Sequence, residues 1–171
     1  MDTKKMKAQC ERLRAINEEI AMTKVTKSFH YTKQYTRYFS SVEEDELYYS
    51  IGLIEQTVNK RSCLVQPKVS LGTVDAKGQT NQERMRNGLA PVLSDNIHKP
   101  IHLHHIQQKY DGPFAELTMA EHMNNYKLLH PMSRDVESWR NNKRLLDNFN
   151  RQKERHWQTR ERLIYANKIP K

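Results

Sequence analysis

Residues 101–131 constrain the fold more than any other part of the chain. Two short apolar segments, residues 101–106 and 114–117, are separated by the turn signal formed by Gly112 and Pro113. Thr118 then offers an N-cap for a helix over residues 119–129, which Pro131 ends. This order predicts a strand, a loop, a second strand and a helix.

Histidines are concentrated in the same segment. Six of the eight lie between residues 98 and 130, at His98, His102, His104, His105, His122 and His130. His104 and His105 end the first predicted strand, so their side chains should point to opposite faces. One imidazole can then bind a metal ion while the other faces an attacking water. The predicted helix brings His122 and Asn125, which lie three apart, back towards the same point.

Histidines in this arrangement suit phosphodiester hydrolysis. The reaction needs a base that activates water and a cation that neutralises charge on the phosphate. Imidazole suits the role of base because its unperturbed pKa is about 6.5, and one divalent ion supplies the Lewis acid. Neutral imidazoles favour Zn, Ni, Co or Mn, whereas Mg prefers more oxygen ligands. We therefore expect one divalent metal ion, with Zn, Ni, Mn and Mg all left open.

Several spaced motifs carry a family resemblance. They are RMRNGLAPVLSD at residues 84–95, IHLHHIQQ at 101–108, FAELT at 114–118, EH at 121–122 and NYKLLHP at 125–131. Together they resemble the LHH family of the HNH/endonuclease VII superfamily, whose members are often C-terminal toxin domains of bacterial polymorphic toxins. The resemblance covers about residues 84–131, with a weaker similarity at Trp157 and Arg160. It implies a metal-dependent nuclease in which the predicted strand, loop, strand and helix form a small ββα-metal (HNH) core in the C-terminal half of a mainly helical chain.

The resemblance also implies roles for the individual histidines. His105, the second histidine of the Leu-His-His motif, would be the general base, and His104 would be a metal ligand. His122, in the Glu-His step, and His130, in the Leu-His step, would be further ligands or phosphate contacts.

Two other residues receive roles in the same way. Asn125 would be the HNH asparagine, either orienting the loop that holds the base or touching the metal. Glu116, in the Glu-Leu-Thr motif, would orient a histidine. The family usually has a glycine-bearing insertion before this asparagine, and here only Met123 and Asn124 intervene. Asn124 therefore stays an alternative.

Basic residues follow the histidine-rich segment. Residues 132–171 carry 11 Lys and Arg against 5 Asp and Glu, a net charge of +6 out of +9 for the chain. Such side chains replace counterions along a phosphate backbone. The predicted nucleic-acid-binding residues are Lys143, Arg144, Arg151, Lys153 and Arg155, together with Arg84 and Arg86. His102, on the strand face of His104, is a further candidate phosphate contact. A solvated helix surface is the alternative interpretation of this charge.

Outside this segment the apolar spacing is mainly helical. It predicts one helix from Met6, Cys10, Leu13, Ile16 and Ile20, a second from Leu47, Ile51, Ile54 and Val58, and one or two C-terminal helices from Val136, Trp139, Leu146, Phe149, Trp157 and Ile164. The aromatic residues 25–39 fit either a helix or an extended segment, and the polar residues 72–88 predict a linker. We expect an α+β chain. Residues 1–75 would be a helical region of unknown role, and residues 76–171 would be an HNH/LHH nuclease domain with basic C-terminal helices.

The expected function is that of a metal-dependent endonuclease acting on DNA. A ribonuclease on the same scaffold is an alternative, because no residue distinguishes RNA from DNA. A non-catalytic, zinc-stabilised nucleic-acid-binding module is another, although structural zinc sites usually use cysteine and neither Cys10 nor Cys63 is near the histidines in sequence. The resemblance implies a toxin module with an immunity or inhibitor protein as partner.

The chain shows no sign of membrane insertion or secretion. No apolar run approaches the roughly 20 residues that span a bilayer, and the first 25 residues lack the apolar core of a signal peptide. The two cysteines fit a reducing compartment. We expect a cytoplasmic site of action, either in the producing cell or after delivery into a target cell.

Overall fold

The computed structural model of the protein describes residues 29–131 and 139–168. Its helices are α1 (Lys33–Thr36), α2 (Val42–Ile51), α3 (Asn81–Arg86), α4 (Met119–Asn124), α5 (Tyr126–Leu129) and α6 (Lys143–Lys168). Its strands are β1 (Ile54–Val58), β2 (Arg61–Val65), β3 (Val92–Leu93), β4 (Asn96–Pro100), β5 (His102–His105) and β6 (Phe114–Leu117). Single 3-10 turns cover Ile106–Gln108 and Trp139–Asn141. In these residues, no helix is both long enough and apolar enough to cross a membrane.

The main sheet of the described residues has four strands in the order β1-β2-β6-β5. β1 and β2 form an antiparallel hairpin around Asn59 and Lys60, whose positive φ angles of 49° and 63° match the twist of a tight hairpin turn. β6 then pairs in parallel with β2 and antiparallel with β5. β1 and β2 precede the predicted boundary at residue 75, so residues on both sides of it contribute to this sheet.

Helices cover both faces of the sheet. One face packs Leu64, Ala115 and Leu117 together with residues of α1, α2 and α5. The other face packs Cys63, Val65 and Phe114 with Phe149 of α6. Because side chains alternate along a strand and paired residues share a face, His104 faces the α5 side with Ala115. His105 faces the α6 side with Phe114.

The two strands of the histidine-rich segment and the start of its helix are confirmed. β5 and β6 form within the predicted ranges, and Thr118 caps α4 as expected. The single helix predicted over residues 119–129 is instead two short helices. Asn125 separates them, with φ −110° and ψ 21°, and its Nδ2 donates to the Glu121 carbonyl at 2.9 Å. An asparagine that satisfies a backbone carbonyl in this way competes with the helical hydrogen bonds.

The helix predicted from Leu47 to Val58 is wrong in its second half. α2 ends at Ile51 because Gly52 takes the left-handed conformation, with φ 80°, that ends many helices. Ile54 and Val58 then lie in β1, where β-branched residues are common.

Residues 72–88 are not only a linker, because they contain α3. Thr80 and Glu83 form a capping box at its start, a signal that the sequence carries. The C-terminal helix α6 runs unbroken through residues 148–150. The stripe from Met6 to Ile20, with Cys10, and the helical prediction at Val136 lie outside the described residues.

Candidate active site

Three histidines from three elements form one cluster. His104 lies in β5, on the face of the sheet that packs against α5. His122 lies in α4, and His130 directly follows α5. Each offers a ring nitrogen, and these nitrogens lie within 4.8 Å of one another. The structure therefore brings together all three residues predicted as metal ligands. We call His104, His122 and His130 the histidine cluster.

The ring nitrogens of the histidine cluster fit a metal ion. Within the described residues, Nε2 of His104 and Nδ1 of His122 are buried and have no hydrogen-bond partner. Nδ1 of His130 donates to the Tyr126 carbonyl at 2.9 Å, which leaves its Nε2 as the nitrogen that could bind a metal ion. Buried polar atoms are rarely left unpaired. Three imidazoles with a position open for water are typical of catalytic zinc sites.

Local electrostatics keep these imidazoles neutral. Burial lowers the pKa of His104 well below its usual value, and the charges of His122, His130 and Arg140 act in the same direction. Burial, His130, His102 and Arg140 lower the pKa of His122 to about 4. Burial also lowers the pKa of His130. At neutral pH the cluster is therefore in the unprotonated form that binds metal.

The start of α4 fixes the position of His122. Oγ1 of Thr118 accepts from the Glu121 backbone N–H at 3.1 Å, and the Glu121 carboxylate accepts from the Thr118 N–H at 2.7 Å. The half-buried His102 shares the face of His104, and its ring centroid lies 5.5 Å from that of His122. Asn125 lies at the junction of α4 and α5, and Asn124 is exposed.

His105 lies on the other face of the sheet, as alternation predicts. Its ring is 1% exposed and packs 4.5 Å from Phe149, 4.7 Å from Phe114 and 4.9 Å from Trp139, measured between ring centroids. Tyr110 stacks at 6.3 Å. We call Tyr110, Phe114, Trp139 and Phe149 the aromatic cage. Water reaches the ring nitrogens only when part of this cage moves.

The aromatic cage also determines the protonation of His105. Burial lowers its pKa to about 3, Arg61, Arg140 and Lys153 add to the shift, and the backbone of Tyr110 opposes it. Neither ring nitrogen makes a hydrogen bond of good geometry within the described residues. His105 is therefore neutral at pH 7.

Glu116 lies on the same face as His105 and is fully buried. It accepts from Nε2 of His156 at 2.8 Å, from Nε of Arg160 at 2.9 Å and from the Gln66 backbone N–H at 2.9 Å. Burial alone would raise the pKa of Glu116, but the hydrogen bond from His156 and the charge of Arg160 lower it. The histidine that it orients is thus His156, whose Nδ1 lies 3.7 Å from the buried Cys63 thiol.

Three of the predicted phosphate-binding residues make ion pairs within the chain. Arg84 pairs with Asp75, Arg86 pairs with Glu161 at 3.1 Å, and Lys143 pairs with Asp147 at 2.9 Å. Arg144, Arg151 and Arg155 are exposed on α6.

Lys153 lies closer to the candidate site. Its Nζ is 4.8 Å from the Phe149 ring centroid, and it borders a cavity of about 640 Å³ together with His102 and Leu103. Arg140 is a residue that the sequence analysis missed, although it influences every histidine of the cluster. Its only sequence signal is that it is the basic neighbour of Trp139.

Residues 80–162 match the model of the LHH family, described as a nuclease of the HNH/ENDO VII superfamily with conserved LHH. The matched segment contains the histidine cluster, His105 and most of α6, so the family resemblance is confirmed over this range. The match supports nuclease activity, and with it a nucleic acid as the substrate. No solved structure matches the chain.

Proposed function

We propose that this chain is a metal-dependent endonuclease of the LHH family that hydrolyses phosphodiester bonds of DNA. The observation that carries the proposal is the histidine cluster, whose unpaired ring nitrogens converge inside the segment that matches a nuclease family. The competing zinc-stabilised module would need a closed ligand set. Among the described residues, the cluster offers three imidazoles, and Cys63 contacts His156 on the other face of the sheet.

The histidine cluster would hold one divalent ion, with Zn, Ni, Mn and Mg as the candidates. Such an ion, when bound, neutralises charge on the phosphate and on the leaving oxygen. The chain contributes neutral imidazoles in fixed positions. The hydrogen bond from His130 to the Tyr126 carbonyl fixes the ring of His130, and the capped start of α4 fixes His122.

His105 is the proposed general base. It follows His104 directly, it is neutral, and neither ring nitrogen makes a hydrogen bond of good geometry within the described residues, so its unprotonated nitrogen could accept a proton once the aromatic cage opens. A pKa of about 3 makes a weak base, but exposure to water would return it towards about 6.5. Opening of the aromatic cage would therefore both raise the pKa of His105 and let water reach its ring. His102, half-buried on the face of the histidine cluster, is the competing candidate.

The remaining predicted residues have supporting roles in this proposal. Asn125 would orient the junction of α4 and α5, and Glu116 would position α6 through Arg160 and His156. The basic residues Lys143, Arg144, Arg151, Lys153 and Arg155 would contact the nucleic-acid backbone along α6, and Arg84 and Arg86 would contact it beside α3. Backbone contacts position a nucleic acid without reading its sequence. On the basis of the family resemblance we also propose a toxin role in a target cytoplasm and an immunity protein as partner.

The test is cleavage of supercoiled plasmid and of a folded RNA by the full chain, in EDTA or with added Zn, Ni, Mn or Mg. We expect metal-dependent nicking of the plasmid. We expect it to fall by more than about a hundredfold in His105→Ala and to persist in His98→Ala, since His98 is exposed on β4.

Other results have distinct meanings. If cleavage is lost in His102→Ala and retained in His105→Ala, His102 is the general base. Cleavage of RNA alone would change the substrate class. If the chain binds metal and nucleic acid but cuts neither substrate, the nuclease proposal is wrong.

A further inference from the structure

A cavity of about 640 Å³ lies between α6 and β5, the strand at one edge of the main sheet. α6 contributes Phe149, Lys153 and Trp157 to the wall of the cavity, and β5 contributes His102. The loop that follows α3, residues 87–90, closes a third side. Sites that bind small molecules and cofactors usually measure about 300–1,000 Å³, so this cavity has the size of a ligand site.

Contacts between α3 and α6 hold the walls of the cavity in place. Glu161 of α6 accepts from Nε2 of Gln82 at 3.0 Å and from Nε of Arg86 at 3.1 Å. Gly88, with φ 74°, lets the loop after α3 come close to α6, because a Cβ at this position would lie 2.9 Å from the Cβ of Glu154. The cavity is therefore formed before any ligand binds.

The cavity combines an apolar wall with polar groups at its rim. Phe149 and Trp157 form part of the apolar wall and are buried. The polar groups are the ammonium of Lys153, whose Nζ lies 4.8 Å from the Phe149 ring centroid, and the exposed side-chain amides of Asn87 and Asn150. Within residues 29–131 and 139–168, none of these three polar side chains forms a hydrogen bond or an ion pair with another residue. An apolar cavity with a few converging polar groups is typical of a binding site.

The cavity adjoins the candidate active site. The ring of His102, which lines the cavity, has its centroid 5.5 Å from that of His122 in the histidine cluster. Phe149, also in the wall, has its ring centroid 4.5 Å from that of His105. A nucleic-acid strand with one phosphate at the histidine cluster would therefore bring a neighbouring nucleotide to the cavity.

We propose that the cavity takes one unpaired nucleotide of the substrate strand, next to the phosphate that is cut. Lys153 binds the phosphate of this nucleotide, the amides of Asn87 and Asn150 bind the edge of its base, and the apolar wall packs against the base. The carboxylate of Glu154 also lines the cavity and disfavours a ligand with several negative charges, which fits a singly charged phosphodiester. The inference rests on the proposed function and deepens it, because it makes single-stranded or locally unpaired nucleic acid the preferred ligand.

The test follows the indole N–H signal of Trp157 by NMR while a short single-stranded deoxyoligonucleotide is titrated into the full chain in EDTA. Trp157 lines the cavity and the second tryptophan, Trp139, does not. The variant Trp139→Phe assigns the two signals. We expect the Trp157 signal to shift and to saturate. The same sequence as a duplex should bind more weakly, because a base must leave its pair before it can enter the cavity.

Two substitutions with matched controls test the cavity itself. Asn150→Phe fills part of it from an exposed position, and Asn167→Phe makes the same change at an exposed position roughly 26 Å further along α6. We expect the affinity for the single strand to fall at least about tenfold in Asn150→Phe and to stay the same in Asn167→Phe. Lys153→Ala should weaken it about tenfold to a hundredfold because a hydrogen bond to a charged group is lost, whereas Lys77→Ala, at an exposed position outside the cavity, should not.

Co²⁺ binding separates a local effect from a folding defect. The cavity lies outside the histidine cluster, so Asn150→Phe and Lys153→Ala should bind Co²⁺ as tightly as the wild type. A misfolded variant would lose Co²⁺ binding together with oligonucleotide binding.

Three results would each overturn the proposal. They are equal affinity for the single strand and the duplex, a Trp157 signal that does not move at saturation, and an Asn150→Phe variant that binds like Asn167→Phe. If the wild type cuts no substrate but shows the expected binding pattern, the cavity remains a nucleotide site and only the nuclease proposal fails. If it cuts DNA and the Trp157 signal does not respond, the nuclease proposal stands and the cavity has no part in it.

Discussion

Replacing Glu116 by alanine should destabilise the protein strongly. Its carboxylate is fully buried and accepts from Arg160 and His156, whose side chains are 6% and 1% exposed. In Glu116→Ala the Arg160 charge stays buried without its partner. Breaking a buried ion pair in this way costs about 3–5 kcal/mol. A domain is stable by only about 5–15 kcal/mol, so the variant should lose a large part of its free energy of unfolding.

Urea denaturation monitored by the fluorescence of the buried Trp157 measures this loss. The matched control is Asp147→Ala, which also removes a carboxylate from an ion pair, but at the surface, where Lys143 is 88% exposed. Exposed pairs contribute about 0–1 kcal/mol, so the control should differ little from wild type.

A double substitution separates the buried charge from the packing around it. Glu116→Leu combined with Arg160→Met removes both charges, and buried pairs replaced by apolar residues are often neutral or stabilised. The double variant should therefore recover most of the stability lost in Glu116→Ala. A loss below about 1 kcal/mol in Glu116→Ala, or a double variant as unstable as the single one, would refute this account of the α6 contact.

Three further predictions concern the histidines. Zn²⁺ at about 100 times its Kd should stabilise the wild type and His98→Ala by about 2.7 kcal/mol, whereas the melting temperature of His122→Ala should not respond. Thr118→Ala and Thr80→Ala should each lose about 1 kcal/mol of stability, but only Thr118→Ala should weaken metal binding in a Co²⁺ titration, because only its helix carries a cluster histidine. In EDTA, the unfolding free energy should fall as the pH drops from about 6.5 towards 3, and His105 should contribute up to about 1.4 kcal/mol per pH unit of that fall, because unfolded His105 takes up a proton that the folded residue, with a pKa of about 3, does not. The histidine cluster, whose pKa values are also lowered, adds to the same slope. A His105→Phe variant with the same pH slope as wild type would contradict this last prediction.

The parts of the fold that could be predicted depend on local signals. Gly112 and Pro113 mark the turn between β5 and β6, and Thr118 caps α4 through its own neighbours. Strand alternation predicted that His104 and His105 lie on opposite faces. The strand and helix order predicted that His122 comes back towards the end of β5. The sequence could therefore predict that the three histidines of the cluster come together.

The surroundings of His105 could not be predicted from the sequence, because residues that are distant in sequence supply them. Strand alternation predicts that the His105 side chain points away from that of His104. It does not predict which residues cover the face on which His105 lies. The covering rings include Phe149 and Trp139, more than 30 residues away in sequence, and they depend on where α6 packs. The partners of Glu116 on α6 are likewise 40 and 44 residues away. Their positions follow from tertiary packing, which no local pattern encodes.

The placement of His105 follows from where the backbone changes direction. The left-handed residues Gln107 and Gln108, with φ 57° and 55°, come after His105 and not before it. Regular alternation therefore continues through His105 and directs its ring into the α6 face. His102 is half-buried on the face of the histidine cluster, whereas His105 is buried on the opposite face. Loss of cleavage in His105→Ala with retention in His102→Ala would therefore mean that the aromatic cage opens during the reaction, because these rings cover His105 in the structure.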